Sequence, residues 1–148
     1  MNNDNYQIEK SIWTTDDFEM MGWHDCLIHA LNFTGDNKLS FDIDYICKWV
    51  KPEKEDLFYF WIAPATLEFH DVSKVMAKID FPVALEILDL EKPSKTKNHW
   101  TVEFIEGEMQ FESTGFTQYI RSKPVCKRSQ NLDLETRNGI SFATTTFD

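Results

Sequence analysis

Two runs of alternating apolar and polar residues, one over residues 23–34 and one over residues 38–50, flank the triplet Gly35-Asp36-Asn37. Successive side chains leave a strand on opposite sides, so period 2 marks strands with one buried face. Gly, Asp and Asn tolerate positive φ, and the two runs therefore read as an antiparallel hairpin. With Asp36 and Asn37 as a two-residue turn, Ala30 stands opposite Ile43, Ile28 opposite Tyr45, Cys26 opposite Cys47 and His24 opposite Trp49. That face is almost wholly apolar. The other face pairs His29 with Asp44, Leu31 with Asp42 and Asp25 with Lys48. A slip of one residue would exchange the two faces.

Period 2 continues along the chain. Residues 57–69 read as a third strand, bent or broken at Pro64, whose missing N–H excludes central ladder bonding. Residues 72–77 are ambiguous between strand and one helical turn. Residues 79–87 alternate over a long strand in which Pro82 marks an edge or a bulge. A second hairpin turns near Glu106-Gly107, with Trp100, Val102 and Phe104 meeting Met109, Phe111 and Ser113 on one face. Gly115 suggests a bulge before a strand over residues 116–121, and residues 139–143 suggest a last short strand. Thr14 or Thr15 caps a short N-terminal helix that Gly22 ends. Residues 1–13 are expected to be a loose lead-in to a single domain spanning 1–148. The segments 51–56 and 92–98 read as charged surface loops. The expected class is mainly β: an antiparallel sandwich or partly open barrel of about seven strands with a short N-terminal helix, or an α+β sheet as the alternative.

Charge narrows the partners. The chain of 148 residues carries a formal net charge of −10. Phosphate recognition needs a basic face, so nucleic acid is not an expected ligand. An acidic surface steers basic proteins toward it. No apolar run approaches the ~20 residues of a membrane-spanning helix, and residues 1–10 hold no apolar signal core. Cys26, Cys47 and Cys126 give no even disulfide framework, which fits a reducing, cytoplasmic setting.

Motifs for chemistry are few. The polar hairpin face collects Asp25, His29, Asp42, Asp44 and Lys48. A His beside carboxylates is the material of a general base, of a nitrogen–oxygen metal site, of a partner-binding face, or of a purely structural cross-strand pair between His29 and Asp44. The first two lack support, because the four histidines form neither HxH nor HExxH and no GxSxG is present. These five residues are therefore the candidate partner-binding set. No catalytic residue, metal ligand or cofactor is assigned. Cys26 and Cys47 fall on the apolar face, where a thiol is inert; Cys126 lies among Lys123, Lys127 and Arg128, a setting that would activate an exposed thiol.

The strings Gly22-Trp23-His24-Asp25, Phe41-Asp42-Ile43-Asp44-Tyr45-Ile46 with Trp49, Phe60-Trp61-Ile62-Ala63-Pro64-Ala65-Thr66-Leu67 and Thr114-Gly115-Phe116-Thr117-Gln118-Tyr119-Ile120-Arg121 resemble the YxiG-like family of small bacterial proteins over residues 22–142. That resemblance implies an acidic domain similar to bacterial immunity proteins, with no catalytic residue to carry over. The expected function is a non-enzymatic domain that neutralises a basic toxin partner. The alternative is a small-ligand-binding protein or enzyme with a cavity lined by aromatics such as Trp49, Tyr45 and Trp61.

Overall fold

A computed structural model describes residues 6–80, 84–93 and 98–148. Ten strands are present among them: β1 (Ile12–Thr14), β2 (Leu27–Thr34), β3 (Lys38–Val50), β4 (Tyr59–His70), β5 (Ser73–Ile79), β6 (Leu85–Glu91), β7 (His99–Phe104), β8 (Gly107–Glu112), β9 (Gly115–Ile120) and β10 (Val125–Lys127). They form one open antiparallel sheet in the order β1-β9-β4-β3-β2-β6-β7-β8-β5, and β10 pairs beside β9 on β4. The fold is mainly β, as the alternation implies. The count of about seven is too low, because β1, β5 and β10 carry little periodicity of their own. The expected N-terminal helix is not matched: a 3₁₀ segment, Thr15–Met20, stands there instead and ends before Gly22. Thr14 caps it, and the Asp17 carboxylate reaches back to the Thr14 N–H at 2.9 Å. The lead-in expected over residues 1–13 is packed at its end: β1 pairs with β9, and Trp13 belongs to the core.

The first hairpin is correct in kind and shifted in register. Thr34 pairs with Lys38, so the turn holds three residues, Gly35-Asp36-Asn37, with Asn37 at φ 61°. A three-residue turn ending in a left-handed residue is the next commonest hairpin connection after the two-residue one. Ala30 accordingly pairs with Asp42, and Ile28 with Ile43. The register shifts again between Ile28 and Ala30, leaving His29 as a bulged residue. A second bulge lies between Ile46 and Lys48 at Cys47. Neither Cys26 with Cys47 nor Asp25 with Lys48 forms a ladder pair.

Pro64 does not break β4, which runs centrally from Tyr59 to His70. Its carbonyl accepts from the Arg121 N–H at 3.0 Å, just past the end of β9. N–H and C=O of one strand residue point to the same side. The missing proline N–H therefore faces the gap between Ile120 of β9 and Val125 of β10, where no ladder bond is lost. Residues 73–79, read in part as ambiguous, form the edge strand β5. Pro82 lies outside the described residues. The second hairpin turns at Ile105-Glu106, with Trp100 opposite Phe111 and Val102 opposite Met109, the face assignment expected. Residues 139–143 form no strand.

The inner face of the sheet doubles over one core. Phe69 of β4 meets Phe111 of β8 at 4.8 Å and Trp100 of β7 at 5.3 Å, although four strands or three separate them along the sheet. Phe116, Trp23 and Phe18 extend the same edge-to-face array, Phe18 through Trp100. On the outer face of β3 and β4 the side chains alternate to Ser40, Asp42, Asp44, Thr66 and Glu68, all buried. Residues 128–148 cover much of that polar face.

Candidate functional site

Three of the five candidate residues meet under that C-terminal segment. Asp42 and Asp44 have no exposed side-chain surface. His29, turned by its bulge, donates from Nε2 to Asp44 Oδ2 at 2.8 Å. Arg137, also without exposed side-chain surface, donates from Nε to Asp44 at 3.0 Å and from both terminal nitrogens to Asp42 at 2.7 Å. Its remaining donors reach the Gly139 and Ile43 carbonyls. Arg121 adds 2.7 Å bonds to Asp42 and to Thr66 Oγ1. The backbone N–H groups of Leu132 and Ser141 complete the two carboxylates. Burial pushes the Asp42 pKa up, but the hydrogen bonds from Arg137, Arg121 and the Ser141 backbone outweigh it and hold the carboxyl below its ordinary value. Two carboxylates and two guanidiniums balance in charge, and every donor of Arg137 is used. With no open position beside it, the arrangement clamps the C-terminal segment and presents nothing to a reactant.

The other two candidates lie apart. Asp25 stands before β2 at φ 68°, and its carboxylate accepts from Gln130 at 2.9 Å. Lys48 sits 5.5 Å over the Tyr6 ring. Nor do the three aromatics named for a cavity converge. Tyr45 is buried against Trp23, Trp61 packs on Tyr6, and Trp49 lies among His24, Phe58 and Phe60. Burial raises the thiol pKa of both Cys26 and Cys47 to about 12, in keeping with inert positions.

Two exposed features were not singled out by sequence reasoning. The first is a row of like charges across the outer face of β6, β7 and β8. Asp89 stands opposite Glu103, and Glu103 opposite Glu108. Like charges directly opposite each other oppose sheet pairing. Glu103 also shares a hydrogen bond with Glu91, and that bond with the neighbouring carboxylates pushes its pKa above the ordinary range. Asp89, Glu91 and Glu103 are close enough to share a cation, although nothing beyond their proximity points to one. Lys78, opposite Glu108, is the one described cation paired into the row. A shallow concavity of about 530 Å³ adjoins it, lined by Glu103, Glu106, Glu108, Asp80, the cation Lys78 and the exposed Leu88.

The second feature is an aromatic end. Trp49, Leu57 and Phe58 are exposed, and Trp49 and Phe58 meet edge to face at 5.8 Å. Beside them a cleft of about 460 Å³ runs between residues 56–60 and 128–131. Its wall includes Asn131, whose side-chain oxygen is shielded from solvent without a hydrogen-bond partner. The cross-strand row was readable only with the register in hand. The aromatic end had a sequence signal, Trp49 and Leu57-Phe58 on either side of a charged loop.

No family model matches the chain, and no curated protein or solved structure is similar to it. Among the described residues, no helix is long and apolar enough to cross a membrane.

Proposed function

We propose that this chain is a non-enzymatic protein-binding domain of the immunity type, which neutralises a basic, toxin-like bacterial partner in the cytoplasm by covering its active site. The observation that carries the reading is the row Asp89–Glu103–Glu108, where unlike charges would serve the sheet better. A cationic partner surface relieves that repulsion on binding. The net charge of −10 adds long-range steering, so association is fast and salt-sensitive. The resemblance to the YxiG-like family points the same way. Asp42 and Asp44, the acidic centre of the candidate set, lie beneath residues 128–148, so the reading rests on the exposed row instead.

The test is affinity capture of the tagged chain from its own cell lysate, washed through a salt series. The expected result is a basic protein released as salt rises, whose toxicity on expression is relieved by co-expression of this chain. A captured partner that is acidic, or that salt does not release, overturns the reading. Glu103→Lys with Glu108→Lys is expected to weaken capture while the circular dichroism spectrum stays unchanged.

A further inference from the structure

We infer that the cleft between residues 56–60 and 128–131 is an anchor site for an arginine side chain of a basic protein partner. The inference deepens the protein-binding reading above and rests on it for the existence of that partner.

The ring systems at this end already hold cations. Lys51 Nζ lies 5.7 Å from the Phe58 ring centre, and the Arg128 guanidinium lies 4.6 Å from that of Tyr59. A cation over an aromatic face is attracted by the ring quadrupole, and a planar guanidinium can stack as well. Trp49 and Phe58 offer further exposed ring surface. The cleft also holds acceptors. The Asn131 side-chain oxygen has no partner, and Asp56 lies across the cleft from it. A guanidinium brings five N–H donors to such acceptors; engaging Asn131 takes a turn of its amide toward the cleft. Arg128, which itself lines the cleft, donates from Nη2 to Glu55 at 2.7 Å and Tyr59 at 2.6 Å, and neither bond reaches Asn131 or Asp56.

Position supports the same occupant. The Leu88 carbonyl lies 2.9 Å from His24 Nδ1, and the His24 ring stacks on Trp49. Leu88 also lines the acidic concavity beside Glu103 and Glu108. The aromatic end and the acidic concavity are therefore linked through Trp49, His24 and Leu88, an apolar centre beside a charged flank, the anatomy of a protein interface with an aromatic anchor. A second copy of this chain fits poorly, since two molecules of net charge −10 repel.

The test is an NMR titration of the ¹⁵N-labelled full chain with N-acetyl-arginine methylamide, and with its citrulline counterpart, a neutral isostere. Arginine is expected to shift the Trp49 indole N–H and the Asn131 side-chain amide, and to bind about tenfold tighter than citrulline. Trp49→Ala with Phe58→Ala is expected to abolish those shifts and leave the rest of the spectrum in place. If that variant unfolds, Asn131→Leu serves instead, and loss of the arginine preference is expected. Equal binding of the two probes, or arginine shifts confined to Asp89, Glu103 and Glu108, overturns the inference. A basic partner captured equally by wild type and by a folded Trp49→Ala/Phe58→Ala variant overturns the cleft and leaves the binding reading standing. Arginine seated in the cleft with only acidic or salt-resistant partners captured overturns the binding reading instead.

Discussion

Arg137 makes five hydrogen bonds, three of them to the Asp42 and Asp44 carboxylates, and it is the cation that the two share. Removing it leaves Asp42 to Arg121 and the Ser141 N–H, and Asp44 to His29 and the Leu132 N–H, in a dry site that has lost its shared cation. Arg137→Met is expected to destabilise the protein by about 3–5 kcal/mol in urea unfolding. Arg137→Lys should recover little, because an ammonium cannot serve both carboxylates with a planar fork. The sign of the pH effect follows from Asp42, whose carboxyl is held below its ordinary value. Its contribution is fully present above the unfolded-state value of about 4 and is lost as pH falls toward the lower folded value. Stability measured between pH 6 and pH 2 should therefore decline below about pH 4, and Asp42→Asn should flatten that decline. The sequence displayed Asp42, Asp44 and His29 together, because they share one hairpin. It concealed Arg121 and Arg137, which lie 79 and 95 positions from Asp42 and carry no local periodicity. The one available hint was energetic: two carboxylates on a strand this apolar require cations from somewhere.

Elements were legible wherever alternation was long. β3 occupies the span of its period-2 pattern, residues 38–50, and β7 and β8 show the expected faces. Register was not legible, since one extra turn residue and two bulges depend on backbone conformations that many sequences adopt. His29 shows how errors can cancel. Its contact with Asp44 was expected from a direct cross-strand pair, yet it arises because a bulge tips the ring toward a residue paired with Leu27. Gly107, at φ 146°, begins β8 where an added Cβ would collide with the Lys78 carbonyl oxygen. Gly107→Ala is expected to cost roughly 1–3 kcal/mol and to lower hydrogen-exchange protection in β5 before any other strand. The bulged Cys47 and the buried Cys26 should both resist iodoacetamide at pH 8 until denaturant is added, as mass spectrometry of the alkylated protein would show.

At the scale of the whole molecule, charge is unevenly spent. The polar outer face of β3 and β4 is neutralised internally, whereas that of β6–β8 is left acidic. Glu103→Lys should accordingly raise the melting temperature at low salt, with the gain fading as salt screens the row. A variant that gains stability and loses its basic partner would place the row among features kept for binding. Composition gave the sign of the surface but not its location, because a net charge carries no coordinates. The clamp has one more implication, for the order of events in synthesis. Asp42 and Asp44 emerge from the ribosome 95 and 93 residues before Arg137. Until then Asp44 lacks its guanidinium and Asp42 has at most Arg121 on the face that must become dry. The nascent sheet should remain open and protease-sensitive over that interval, and lock only when Arg137 arrives.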